Sequence, residues 1–242
     1  MQIVGLIPAR MAAQRLPGKP LLDIAGKPMI WHVWNSANQA TSLTALAVTT
    51  PDREIADAIE LYGGKAVLTG TNHRTGSDRL AEAARILQLA DDDIVVNIQG
   101  DEPMMDPASI DAVVAPLVTD STLLMSSAMT PCPDDSLDAP AAVKVVCALN
   151  GNALYFSRSR IPHPRQASSA VTMLHLGLYA YRASYLQTFA NLPPTPLEQS
   201  ESLEQLRALE HGFTIRMVTV RKTSIGVDTL EDIERVRKIM TA

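Results

Sequence analysis

The sequence has no surplus of positive charge: 26 acidic against 21 basic residues give a formal net charge of −5. That balance argues against a nucleic-acid grip or an anionic-membrane anchor built on bulk charge, while a local basic cluster for phosphate stays open. Cysteine is scarce. Cys132 and Cys147 match no metal-ligand spacing and cannot make a disulfide framework, so free thiols in a reducing cytoplasm are expected. No segment reaches the ~18 apolar residues of a membrane span, and Met1–Pro8 is a short apolar run without a preceding basic region, so a soluble cytoplasmic protein is expected. Internal repeats, low-complexity tracts and long linkers are also missing. What is present is a 46% hydrophobic chain of 242 residues, which excludes disorder and suits one domain.

Among the basic residues 15 are Arg and 6 are Lys, and Arg is the side chain that forks onto carboxylates and phosphates. The chain pattern shows where such groups would be carried. Ile3–Ile7 is apolar at every position, as a strand buried on both faces reads. A polar stretch, 9–27, follows; Pro28 then opens a helix with Ile30, Trp31, Val33, Trp34 and Ala37 on its apolar side. Strands are expected at 43–48, 66–68, 94–98 and 123–129, with helices from 52 to Tyr62, over 78–89 and over 107–118. This alternation predicts an α/β fold with parallel strands and helices on both faces. The second half is less regular: strands at 143–147 and 153–156 flank the Asn150–Gly151 turn, and 174–181 alternates as a further strand. One helix over 198–211, a strand over 213–220 and a helix over 229–240 complete a mixed sheet.

The first loop carries Arg10, Arg15 and Lys19 within ten residues, and Gly18 permits close backbone approach to a ligand. It matches neither the dinucleotide nor the Walker glycine pattern, yet it leaves a strand at the carboxyl end, where open α/β sheets bind ligands. Asp101 and Glu102 follow the 94–98 strand; an acid there can hold Mg²⁺ against substrate phosphates, or it can cap a turn, although Pro107 makes Asp106 the better cap. Asp228 precedes Thr229, whose spacing to Asp232 reads as a capping box, and Asp228 gains a metal role only if it meets Asp101. Thr75, Gly76, Ser77 and Arg79 open a helix, either as an anion or base site or as a plain N-cap. Arg158, Arg160 and Arg165, with His175 and Tyr179 on one strand face, suit a carboxylated sugar, while a strand His is more often structural. Glu204 and Gln205 read as a solvated helix face.

The segments Pro8-Ala9-Arg10, Arg15-Leu16-Pro17-Gly18-Lys19-Pro20-Leu21, Gln99-Gly100-Asp101-Glu102-Pro103, Ala153-Leu154-Tyr155-Phe156-Ser157-Arg158, His175-Leu176-Gly177, Leu203-Glu204-Gln205-Leu206-Arg207 and Val227-Asp228-Thr229 closely resemble the 3-deoxy-manno-octulosonate (Kdo) cytidylyltransferase family. The match runs in order along nearly the whole chain. The resemblance implies a nucleotide-diphospho-sugar transferase-like fold in a cytoplasmic, Mg²⁺-dependent homodimer that makes CMP-Kdo for lipopolysaccharide synthesis. It places Ala9, Arg10, Arg15, Lys19, Thr75, Gly76, Ser77 and Arg79 on CTP, and Asp101 and Asp228 on the metal. Arg10, Lys19, Asp101 and Asp228 would be catalytic. Gln99, Arg158, Arg165, His175, Tyr179, Glu204 and Gln205 would bind the sugar acid, which reverses the solvated reading of Glu204 and Gln205. Residues 1–242 form one domain on this reading, with a sugar-binding and dimer-forming elaboration at about 131–211. Met11 and Ala13 stand where the family usually has an aromatic and a serine, and Thr75-Gly76-Ser77 swaps the order of its hydroxyls. Other acidic sugars, 8-amino-Kdo or a sialic acid, and a non-catalytic binding protein of the same fold are the competing readings.

Overall fold

The computed structural model describes residues 1–12, 16–166, 170–221 and 224–241. β1 (Ile3–Pro8) is followed by a 3-10 turn at Lys19–Leu21 and a small hairpin of β2 (Asp23–Ile24) and β3 (Lys27–Pro28). Then come α1 (Met29–Ala37), β4 (Ala45–Thr50), α2 (Arg53–Glu60), β5 (Ala66–Leu68), α3 (Gly76–Ile86), β6 (Ile94–Asn97) and α4 (Pro107–Thr119). The second half holds β7 (Met125–Pro131), β8 (Lys144–Cys147), β9 (Ala153–Ser157), β10 (Met173–Arg182), α5 (Ala183–Asn191), α6 (Pro196–Glu201), α7 (Gln205–Glu210), β11 (Arg216–Thr219) and α8 (Leu230–Thr241).

The main sheet runs β11-β7-β10-β6-β1-β4-β5, with β8 and β9 continuing from β10 off that path. β6, β1, β4 and β5 are mutually parallel, whereas β10 lies antiparallel to both β6 and β7, so the expected mixed sheet forms. Alternation along each strand divides the apolar side chains between two cores. Val4, Leu6 and Val95 face one core with Leu80 and Phe189, while Ile7, Ile94 and Val96 face the other with Ile30, Ile59 and Ile110. Helices on both faces cover these stripes, as a largely parallel sheet requires. A third cluster seats α8, through Ile233 and Val236, on Ile24, Met29 and Val227.

Three local expectations are corrected. The helix drawn over 198–211 is two helices, because Ser202 adopts φ 51 and ψ 51 and interrupts the i to i+4 ladder. α5 is additional to the expected elements; its apolar side chains follow directly on those of β10, and the period change at Arg182 is hidden in one run. Pro28 is the N-cap of α1 and not its first helical residue.

Candidate active site

The parallel strands end on one side of the sheet, and the loops leaving β1, β5 and β6 enclose a cleft of about 430 Å³. Its walls are supplied by residues 8–10, 16 and 19–20 of the first loop, 73–76 and Arg79 at the entry to α3, 99–101 after β6, and Asp228 before α8. The first loop is tied down by backbone and side chain. Ala9 N–H donates to Thr49 O (3.0 Å), and Met11 N–H donates to Asp52 Oδ2 (2.7 Å). Asp52 stands at the N-cap position of α2, yet its side chain makes no cap bond and serves the first loop instead. Gly18 takes φ 72, and its N–H closes the loop on Met11 O at 3.1 Å. Gly100 is required by close approach: a Cβ there would lie 2.4 Å from Pro8 O, where no real side chain fits.

Lys19 joins three parts of the chain. Its Nζ lies 3.0 Å from Asp101 Oδ2, 3.3 Å from Asp228 Oδ1 and 2.7 Å from Val227 O. A backbone bond from Val227 N–H to Asp101 O (2.9 Å) fixes the two acidic segments side by side. The condition set for Asp228 in the sequence is thus met, because Asp101 and Asp228 share one ammonium 209 positions away in chain from Asp228. Thr229 and Asp232 form the reciprocal capping pair, and the Asp228 N–H also donates to Asp232 Oδ2 (3.0 Å), so the cap uses the Asp228 backbone while its carboxylate turns to Lys19. Burial, and then the neighbouring Asp101 charge, push the Glu102 carboxyl up to about 7. Asp101 and Asp228, side by side at the cleft, are residues that could hold a hard cation. Among the described residues no group of three or more His, Cys, Asp or Glu forms a metal cluster, and two carboxylates suit Mg²⁺, which keeps sites for phosphate oxygens.

At the entry to α3, Thr75 is the N-cap and shares a capping box with Asp78, so the plain capping reading holds for it. Gly76 and Thr75 nevertheless line the cleft. Ser77 is buried and donates to Glu204 Oε2 (2.8 Å), which links α3 to α7. Arg79 is buried and donates to Thr69 Oγ1 (2.5 Å) and Gly70 O (3.1 Å). Its pKa is lowered, first by burial and then by Arg10. Arg10 itself is exposed on the cleft wall. Arg15 lies outside the described residues.

The residues expected on the sugar divide into two groups. Gln99 lines the cleft and donates to Gly177 O at 2.7 Å. The remainder lie in the elaboration behind it. Arg158 directs Nε to Glu201 O (2.7 Å), Nη1 to Pro140 O (3.0 Å) and Nη2 to Ser202 O (3.2 Å). Arg165 is exposed. His175 is buried between Ser127 Oγ (2.9 Å) and Gln205 Nε2 (3.5 Å), with its ring edge on Phe156. Because Ser127 Oγ donates to Leu178 O (2.9 Å), His175 Nε2–H is the donor to Ser127 and Nδ1 the acceptor from Gln205. Burial agrees with this neutral tautomer by pushing the imidazole pKa down to about 3. Tyr179 packs on His175, and burial followed by the Glu204 charge raises its phenol. Glu204 is raised in turn, chiefly by burial. Sequence reasoning missed His73, Arg74 and Asp52; only the fold brings them to the cleft or to its loop.

Comparison with known proteins gives the same result along the whole chain. The sequence profile of the cytidylyltransferase family matches residues 4–222. A 3-deoxy-manno-octulosonate cytidylyltransferase of Syntrophobacter fumaroxidans is 50% identical over 99% of this chain and 97% of its own. One from Myxococcus xanthus is 48% identical over 99% and 96%. A solved CMP:2-keto-3-deoxy-manno-octonic acid synthetase complexed with CTP superimposes with a TM-score of 0.94 at 42% identity, covering 100% of this chain and 99% of its own. A cytidylyltransferase from Leptospira borgpetersenii, 17% identical with a TM-score of 0.66, shares the fold. With the glycine-tightened loop, the Lys19-bridged aspartates and these full-length matches together, the chain belongs to the 3-deoxy-manno-octulosonate cytidylyltransferase family.

Proposed function

We propose that this cleft holds CTP with its phosphates along Arg10 and Lys19, and that the chain's own residues perform the transfer of CMP from CTP to the anomeric hydroxyl of Kdo. The reaction is that of the family: CTP and Kdo give CMP-Kdo and pyrophosphate. The anomeric oxygen forms a bond to the α-phosphorus, the bond from that phosphorus to the bridging oxygen breaks, and pyrophosphate leaves with the electron pair. The hydroxyl proton passes to solvent. Arg10 and Lys19 stabilise charge that grows on the departing pyrophosphate, and Arg15 belongs to the same proposed set. Ala9, Thr75, Gly76, Ser77 and Arg79 shape the nucleotide side.

Asp101 and Asp228 would hold Mg²⁺, which supplies charge neutralisation for the triphosphate and acidifies the attacking hydroxyl. The observation that carries the assignment is the meeting of both aspartates on Lys19 at the cleft. On the sugar side, Gln99 faces the cleft, and Arg165, Tyr179, Glu204 and Gln205 belong to the same proposed set, while Arg158 and His175 hold that side in shape. We place the protein in the cytoplasm on its two unpaired cysteines. No helix among the described residues is long and apolar enough to cross a membrane. A homodimer built on the elaboration fits the exposed Leu149, Leu154 and Val171 there.

Pyrophosphate release with CTP and Mg²⁺, measured across Kdo, 8-amino-Kdo and N-acetylneuraminate, tests the reading. Turnover is expected with Kdo, and none with any of the three sugars would overturn it.

A further inference from the structure

The segment between β5 and α3 leaves the carboxyl end of its strand and runs along the cleft, where His73 forms part of the wall. α3 grips this segment with two side chains. Arg79 holds Thr69 Oγ1 and Gly70 O, as described above. Three positions later, on the same helix face, Glu82 Oε2 accepts from Gly70 N–H at 2.8 Å and lies 2.5 Å from His73 Nε2. The Glu82 carboxyl is held below its usual range, first by that bond to His73. A carboxylate opposite Nε2 requires the proton on that nitrogen, so in the neutral ring Nδ1 is left as an acceptor. Nδ1 has no hydrogen-bond partner among the described residues.

Closing the turn needs only the bonds from Glu82 and Arg79 to residues 69 and 70. The imidazole adds something a turn does not use: a ring with its tautomer fixed on one edge, half-buried in the wall of a nucleotide-sized cleft. We propose that His73 is a nucleotide-binding residue of this cleft, and that Glu82 is the positioning residue that fixes its ring and tautomer. This rests on the reading of the cleft as the CTP site.

The test compares His73→Ala, Glu82→Ala, Glu82→Gln and the double alanine variant, with CTP affinity measured by calorimetry in the absence of Kdo and with separate KM values for CTP and Kdo. His73→Ala is expected to weaken CTP binding about tenfold, the loss of one good polar contact. Glu82→Ala is expected to match it, and the double variant to be no worse than either single change. KM for Kdo should stay within about twofold, since the contact is to the nucleotide. Glu82→Gln, which keeps an acceptor oxygen, should fall between wild type and Glu82→Ala. Unchanged CTP affinity in a folded His73→Ala protein would overturn the role of His73, and additive losses in the double variant would overturn that of Glu82. If Glu82→Ala does not fold, His73→Ala and Glu82→Gln still decide the matter. Failure of the wild-type protein to release pyrophosphate is a separate outcome, which overturns the activity and not the CTP contact.

Discussion

The cleft and the elaboration behind it use charged side chains in opposite ways. Around the cleft, Arg10, Lys19, Asp101 and Asp228 are held at a surface that a ligand can reach, with the loops fixed mainly by backbone bonds and by Asp52 and Gly100. In the elaboration the charges hold the chain together. Lys144 is wholly buried and donates to Ala139 O, Ala142 O and Arg158 O at 2.9, 2.6 and 2.8 Å. Arg158 binds three further carbonyls, Glu201 gathers Ser157 Oγ and the Arg158 N–H, and Arg207 pairs with Glu198 under Phe189. A segment with few regular ladders leaves many carbonyls without partners, and buried donors on long side chains satisfy them. The same residue types therefore line an open cleft in one region and hold the architecture in the other.

This contrast breaks most readily at the aspartates. Asp101→Asn and Asp228→Asn should each lower kcat by about 100- to 1,000-fold, the scale for losing a charge that stabilises a transition state, while a circular-dichroism melt stays near wild type. Near-normal activity of Asp228→Asn across magnesium concentrations would remove its metal role. The next effect belongs to the elaboration. Lys144→Met should cost roughly 3 kcal/mol by leaving three carbonyls without their donor, a fall of about 6–12 °C in Tm for a chain of this size. Arg158→Ala should lower Tm by about 4–8 °C on the same grounds; an unchanged melting point would free its guanidinium for a ligand.

His175 gives the contrast a pH signature. Its folded pKa, about 3, lies below the unfolded value, so between about 6.5 and 3 the unfolded chain binds more protons and stability falls as pH falls. At pH 5 this amounts to about 2 kcal/mol relative to neutral pH. His175→Gln should flatten that acid limb in denaturant titrations across pH, and an unaltered slope would mean the imidazole is not held neutral. The smallest change expected is at Ser202, where glycine relieves the left-handed backbone. Ser202→Gly should stabilise by about 0.5–1 kcal/mol, read as a small rise in Tm.

Strong periodicity made the first half legible: β1, β4, β6, α3 and α4 follow from apolar runs and caps within a few residues. α5 and the break between α6 and α7 were not legible, since neither a strand running directly into a helix nor a serine in the left-handed region leaves a pattern signal. The site divides along a similar line. Arg10 and Asp101 follow strand ends, and Lys19 lies in the basic first loop, so all three could be singled out locally, whereas no motif marks His73, and Asp52 only opens a helix. Arg158 and His175 carried the right chemistry for a sugar acid, but composition does not say whether a donor meets a ligand or a backbone carbonyl.

By itself the sequence determined the alternating α/β order, the loops that carry charge, and the resemblance that runs along the whole chain, because these depend on local period and on motifs in order. Only the tertiary structure decided that Asp101 and Asp228 meet on Lys19, that Gly100 must stay small against Pro8 O, and that Glu82 faces His73. The first two join segments far apart in the chain that strand order and packing bring to one edge of the sheet, and the third depends on how the loop after β5 folds back on α3; no local pattern encodes either.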